Sequence, residues 1–187
     1  MPRYALVLYP QNPELLIEDK TALLRELVDI GLIDKTIPGE KSAWYAGEQF
    51  VSLISFLGCS PYVRFAPDEE CSRFTYISWQ TLDSEPALHA GENLKPPRCP
   101  ECKTAAESRL ANDYQLDKEL TCSQCLQSFP LQQWSWRQSA CYAKETIWIW
   151  EVFEGEAVPG DVVMKVLEKQ TNTRWSYCYI AVSEQTQ

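Results

Sequence analysis

Histidine is the scarcest reactive residue in this chain: His89 is the only one among 187 residues. A nucleophilic cysteine paired with an imidazole base would therefore have to use His89. That residue lies in the polar stretch 85–92 with no H-E-x-x-H and no nucleophile elbow around it, so it reads as a surface side chain. No G-x-G-x-x-G follows a strand pattern and no Walker loop is present. Gly39-Glu40-Lys41-Ser42 resembles only the end of one, lacks the upstream glycine, and reads as a turn. No apolar run approaches the ~20 residues that span a bilayer. The start, Met1-Pro2-Arg3-Tyr4, lacks the basic-then-apolar layout of a signal peptide. The expected setting is cytoplasmic, where thiols stay reduced. Internal repeats and low-complexity tracts are lacking too.

Positive charge is also in short supply. The formal net charge is −9, distributed as −7 over residues 1–94, +1 over 95–140 and −3 over 141–187. An acidic chain without a basic patch stays soluble by self-repulsion and repels phosphate backbones at long range, which counts against nucleic acid as the partner. The acidic groups Asp68/Glu69/Glu70 and Glu154/Glu156 read as solvated faces. With no catalytic signature, no catalytic residue is assigned and the reading leans away from an enzyme.

Cysteine and aromatic residues, by contrast, are plentiful. The sequence is 45% hydrophobic and 12% aromatic, ample for a packed core without covalent staples. Four of its eight cysteines form two Cys-x-x-Cys pairs, Cys99/Cys102 and Cys122/Cys125, with nineteen residues between the inner members. Two residues between thiolates let one tight turn aim both sulfurs at a common point, and a second such turn completes a tetrahedron. Pro100 pre-sets the backbone angle inside the first turn. Zn²⁺ is the expected ion. Four protein ligands leave no open coordination position, so its role would be structural. Cys59, Cys71, Cys141 and Cys178 lack this spacing, and Cys59 and Cys178 read as small buried hydrophobes.

Apolar patterning along the rest of the chain predicts an α+β fold. Ala5–Tyr9 reads as a buried strand. Leu23, Leu24, Leu27 and Val28 mark one stripe of a helix over 18–30, stopped by Gly31 with Leu32 folding back onto Leu27. Phe50, Val51, Ile54 and Leu57 suggest a second helix over 46–57, ended by Gly58. Strands follow at 62–65 and 74–79, joined by an acidic loop. Residues 81–97, with four Pro/Gly positions, read as a linker or long loop. The most apolar run, 147–153, predicts a central strand covered on both faces. A helix starting near Asp161 carries Val162, Val163, Val166 and Leu167, and 175–182 is a final strand. The expected architecture is a small mixed or antiparallel sheet with two to three helices. Residues 1–94 and 137–187 would share one domain, and 95–136 would be an insertion.

Residues 98–129, with their paired knuckles, resemble the zinc-ribbon family. Its commonest knuckle carries Gly after the second cysteine, where this chain has Lys103 and Leu126. The resemblance implies a structural zinc held by four cysteines and no particular function, since zinc ribbons serve transcription, translation, nucleases and protein docking. Trp44, Trp134 and Trp136 sit in polar context and are candidate partner-binding residues; Trp134 and Trp136 would instead be seam-covering side chains between ribbon and main domain. The leading expectation is a zinc-stabilised, non-enzymatic protein-binding module of adaptor, inhibitor or immunity type. One alternative is nucleic-acid binding through Lys103, Arg109, Lys118 and Arg137. Another is an enzyme whose site is gathered from scattered carboxylates and Cys or Tyr.

Overall fold

Alternation of side chains along strands, and not helical periodicity, dominates this molecule. The structure, a computed structural model, describes residues 2–58, 63–67, 72–107, 113–114 and 118–183. In chain order its elements are β1 (Arg3–Pro10), α1 (Lys20–Asp29), β2 (Ile33–Thr36), β3 (Ala43–Ala46), α2 (Phe50–Leu53), β4 (Ile54–Phe56), β5 (Tyr76–Thr81) and β6 (Ala87–Ala90). There follow β7 (Glu119–Thr121), β8 (Ser128–Pro130), a 3-10 turn (Leu131–Gln133), β9 (Ala140–Ala143), β10 (Glu145–Trp150), β11 (Ala157–Pro159), α3 (Asp161–Thr171) and β12 (Trp175–Val182). The fold is α+β with antiparallel sheets. The largest sheet has six strands in the order β12-β1-β10-β5-β3-β2. It takes β1, β2, β3 and β5 from before the cysteine-rich segment and β10 and β12 from after it.

β1 lies between β12 and β10, with Ala5 opposite both Ile180 and Trp150. Period two then sorts its residues. Leu6 and Leu8 join Ile147, Ile149, Ile77 and Trp79 on one face, where α1, α2 and α3 pack through Leu23, Leu27, Phe50, Val163 and Leu167. Ala5 and Val7 join Trp148, Cys178 and Ile180 on the other face, against Cys141 of β9. The paired strands β6 and β9 cover this second face over β1 and β12. Among the described residues, nothing covers this face at Trp150 of β10, Tyr76 of β5 and Tyr45 of β3, which are half-buried.

α1 follows its sequence signals closely. The Asp19 carboxylate accepts the Ala22 N–H at 2.9 Å as N-cap. At the other end Gly31 has φ 75°, and the Gly31 and Leu32 amides donate to the Val28 and Leu27 carbonyls at 2.8 and 3.0 Å, the Schellman pattern. α3 starts on Gly160, with Asp161 in its first turn and no side-chain cap.

The helix expected over 46–57 is instead strand, one helical turn and strand. Gly47 packs on the Gly31 carbonyl so closely that a Cβ would lie 2.3 Å from that oxygen. The chain leaves the turn at Ile54 in extended geometry to pair with β11. Of the larger apolar side chains here, Phe50, Leu53 and Ile54 are buried, while Val51 and Leu57 face solvent. The same apolar spacing thus serves a turn and a strand. Val63–Phe65 is irregular, and Tyr62 lies outside the described residues. The stretch 81–97 is more ordered than a linker, since β6 within it pairs with β9. No helix among the described residues is long and apolar enough to cross a membrane.

Candidate functional site

The two Cys-x-x-Cys turns are built to one plan. In the first, the Cys99 N–H donates to Thr104 O at 2.9 Å and the Lys103 N–H to Cys99 O at 3.1 Å. In the second, the Cys122 N–H donates to Gln127 O and the Leu126 N–H to Cys122 O, both at 2.9 Å. Lys103 and Leu126 take the left-handed conformation, φ 62° and 59°. The position usually given to glycine therefore keeps glycine geometry without glycine, at a cost of about 1–2 kcal/mol each.

The turns bring Cys99, Cys102, Cys122 and Cys125 together, with all four sulfurs within 4.8 Å of one another, a set that could hold a metal ion. Cys99 Sγ lies 3.7 Å from Cys125 Sγ, and Cys102 Sγ 3.5 Å from Cys122 Sγ. Cys99 and Cys122 are buried, while Cys102 faces solvent. Thr104, through its side chain and then its amide, pulls the Cys102 thiol down to about 6. At Cys125 the Gln127 amide also pulls downward. Lost hydration and the neighbouring sulfurs outweigh it and push that thiol up to about 12. Four sulfurs this close share negative charge unevenly unless a cation sits among them.

Beneath the sulfurs is a separate core. Leu120, Leu131, Trp134, Trp136 and Tyr114 pack with Cys99 and Cys122, joined by Leu88 and Ala140 from the β6–β9 layer. Arg98 bridges both Ala105 and Ser135, tying the first knuckle to the segment that carries the tryptophans. The Trp134 and Trp136 indole N–H groups donate to Phe129 O at 3.2 Å and Leu131 O at 3.0 Å. Both rings are thus interior, and Trp44 sits in the helix-side core. The expectation that Trp44, Trp134 and Trp136 form a partner surface is corrected on this point: their rings are needed for packing and their exposure is 9, 3 and 6%.

Other candidates disperse. Lys118 pairs with Glu85 at 3.6 Å, and Lys103 donates to Pro100 O within its own turn. Arg137 lies at a different cleft, and Arg109, Cys59, Cys71 and Asp68/Glu69/Glu70 lie outside the described residues. Glu154 pairs with Lys95, which holds its carboxyl below the usual range, and Glu156 accepts the Phe153 N–H. His89 is half-buried, and not the free surface side chain expected. Its Nε2 lies 3.1 Å from Ala143 O, its ring meets Trp148 edge-on, and burial lowers its pKa. Cys141 and Cys178 are buried against each other's strands, and burial pushes the Cys141 thiol well above its ordinary range.

Two features went unread in the sequence. The first is the open sheet face. From buried Trp148 a chain of rings runs to Trp150 (5.2 Å between centroids), Tyr76 (5.9 Å), Phe74 (5.5 Å) and Tyr45 (5.7 Å). The last four are half-buried. The Arg3 guanidinium lies over the Trp150 and Tyr76 rings at 4.7 and 5.3 Å and is held by Glu151 at 2.8 Å. Lys35 lies over Tyr45 at 5.8 Å. Arg3, Tyr76, Phe74, Arg73 and Trp150 line an open cleft of about 560 Å³ on this face. The run 147–153 is therefore covered on one face only at Trp150, a correction to the expected two-sided burial. The period-two series Phe74, Tyr76, Ser78, Gln80 was the available signal.

The second is Glu145, a fully buried carboxylate. It accepts from Trp79 Nε1 at 2.6 Å, the Thr81 hydroxyl at 2.7 Å and the Ile17 N–H at 3.2 Å, with Lys20 Nζ 3.5 Å away. These donors come from the sheet, from the segment before α1 and from α1 itself. The arrangement pins that connection to the sheet and satisfies the charge.

Comparison with protein-family models, with curated proteins and with solved structures finds no match to this chain.

Proposed function

We propose that this chain is a zinc-stabilised binding protein whose partner is another protein, docked on the aromatic sheet face. The observation that carries the reading is the continuous array Trp150–Tyr76–Phe74–Tyr45 with Arg3 over its rings. Tyr, Trp and Arg concentrate energy at protein interfaces, because they combine large apolar area with directed polar groups at a low cost in side-chain freedom. The rings are already stacked and clamped, so little ordering remains to oppose association.

The four-cysteine unit is, in this reading, a zinc ribbon over 98–129 within an insertion spanning 95–136. Sulfurs 2.3 Å from a tetrahedral zinc lie about 3.8 Å apart, near the two shorter separations found here. Thiolate donors favour zinc over harder cations. The four ligands fill its coordination sphere, so the ion would supply folding energy and not chemistry. The same stacked rings with flanking cations also suit unpaired bases, which is the second reading. The net charge of −9 opposes it.

Affinity capture from native lysate, with and without nuclease, tests the two together. One stoichiometric protein is expected with the wild-type chain and lost with Tyr45→Thr/Phe74→Thr, regardless of nuclease. Capture abolished by nuclease would move the working surface to nucleic acid. Capture unchanged in the double variant would place it off this face. Metal content by mass spectrometry should give one zinc per chain, reduced by Cys102→Ser.

A further inference from the structure

A second cleft, of about 470 Å³, lies where the cysteine-rich unit meets the main sheet. Its lining is polar, with Gln11, Gln132, Gln138, Tyr142 and Tyr177 around Arg137. Among the described residues Arg137 is the only charged one that lines it, in a chain of net charge −9. Among those same residues no carboxylate or carbonyl pairs with its guanidinium.

The backbone beneath Arg137 is unusual. The Ser139 N–H donates to Trp136 O at 3.0 Å, closing a tight turn whose central residues are Arg137 (φ 51°) and Gln138 (φ 58°). Two consecutive positive φ values are the type I′ pattern, which favours Asn-Gly because a larger side chain strains there. The strain is held by bonds within the turn and from outside it. Gln138 O accepts the Tyr179 N–H at 2.9 Å, and the Ser139 hydroxyl donates to Trp136 O and accepts the Lys95 N–H. Arg137 and Gln138 are both exposed, so packing does not explain their presence. Strain maintained by the surroundings, at residues that offer a cation and an amide to a cleft, is an arrangement that binding sites use.

We propose that this cleft binds a small sugar acid, a polyhydroxylated monocarboxylate, with Arg137 on the carboxylate and the glutamine amides and tyrosine hydroxyls on the hydroxyl groups. The guanidinium fork matches a planar carboxylate. Amides and phenols both donate and accept, as hydroxyl-rich ligands require. A single guanidinium balances one negative charge, so a monoanion suits it better than a phosphate ester, whose second charge stays unpaired in a chain of net charge −9. The volume lies within the range of small-ligand sites. The site is separate from the aromatic face and independent of the protein-partner reading.

The test uses the full metal-loaded chain, D-glucuronate as probe, and D-glucose, propionate and glucose 6-phosphate as comparators, followed by amide chemical shifts and calorimetry. Glucuronate is expected to shift amides at 132–142 and 176–177 and to bind at least about tenfold tighter than any comparator. Arg137→Asn/Gln138→Gly supplies the residues the turn prefers. It should raise the melting temperature while weakening glucuronate about tenfold or more. No shift at the cleft up to about 10 mM glucuronate would overturn the site. Equal or tighter binding of glucose 6-phosphate would overturn the ligand class. Undiminished glucuronate binding by the more stable variant would overturn the role of Arg137.

Discussion

The six-stranded sheet and the four-cysteine unit solve the same problem in different ways. The sheet buries aliphatic side chains from strands far apart in sequence. β1 pairs with β10 and β12, and Leu6, Leu8, Ile147 and Ile149 meet three helices. Each residue that enters this core contributes on its own account, so the sheet can hold with apolar burial alone. Among the described residues, the cysteine-rich unit has strands of three residues and a core of five side chains around two cysteines. It also carries two non-glycine residues in left-handed geometry. A core of that size buries little surface, and an ion held by the four cysteines would offset the deficit. Each region should therefore fail under a different stress.

Metal removal should separate the two regions most completely. Zinc bound by four thiolates is worth on the order of 10 kcal/mol of apparent folding energy. A strong chelator is expected to unfold 95–136 and shift the emission of Trp134 and Trp136. Slow hydrogen exchange in β1 and β10 should survive. If β1 lost protection together with the cysteine-rich unit, the two regions would be one cooperative unit and the contrast between them would collapse.

Glu145→Gln applies the opposite stress. The substitution keeps shape but sets an amide donor against Trp79, Thr81 and Ile17 donors and leaves Lys20 without its carboxylate. A loss of about 3 kcal/mol is expected for the sheet in urea denaturation, with zinc affinity unchanged. A parallel loss of zinc affinity would show that the buried carboxylate supports both regions.

The lone histidine adds a pH dependence at the layer between them. Burial depresses the folded pKa of His89, so the unfolded chain binds the extra proton first. Stability is therefore full above about 6.5 and falls as pH drops from there toward the folded value, by at most about 1.4 kcal/mol per pH unit. Thiolate protonation acts in the same direction, so the readout is the difference between wild type and His89→Gln. That difference should flatten above neutrality; a slope there would assign the effect to another group.

How much of this was legible beforehand depended on whether a signal was local. The cysteine spacing fixes two turns whatever surrounds them, and Gly31 with Leu32 specifies a helix end by itself. Ala5–Tyr9, 147–150 and 175–182 were readable as strands because apolar runs of that length suit a sheet interior. Phe50, Val51, Ile54 and Leu57 misled, because their spacing fits a helix face until Gly47 and β11 decide otherwise. The aromatic face was hidden for a related reason. Trp148 and Trp150 share a strand side, but only the β6–β9 pair determines that one is covered and the other is not. His89 and Glu145 look like ordinary polar residues until distant strands enclose them.

The mildest change acts within a single knuckle. Leu126 is 77% exposed and has φ 59°, so its side chain packs little and its backbone is strained. Leu126→Gly removes about 1–2 kcal/mol of strain and returns about 0.5–1 kcal/mol through greater freedom of the unfolded chain. Where metal binding and ordering of the knuckle are one event, a net gain near 1 kcal/mol should appear as zinc affinity raised a few-fold in chelator competition. Lys103→Gly relieves the same angle but loses the bond to Pro100 O, so its gain should be smaller. If neither change moves zinc affinity, the knuckles are ordered before metal arrives, and the cysteine-rich unit depends on its tryptophan core more than on its ion.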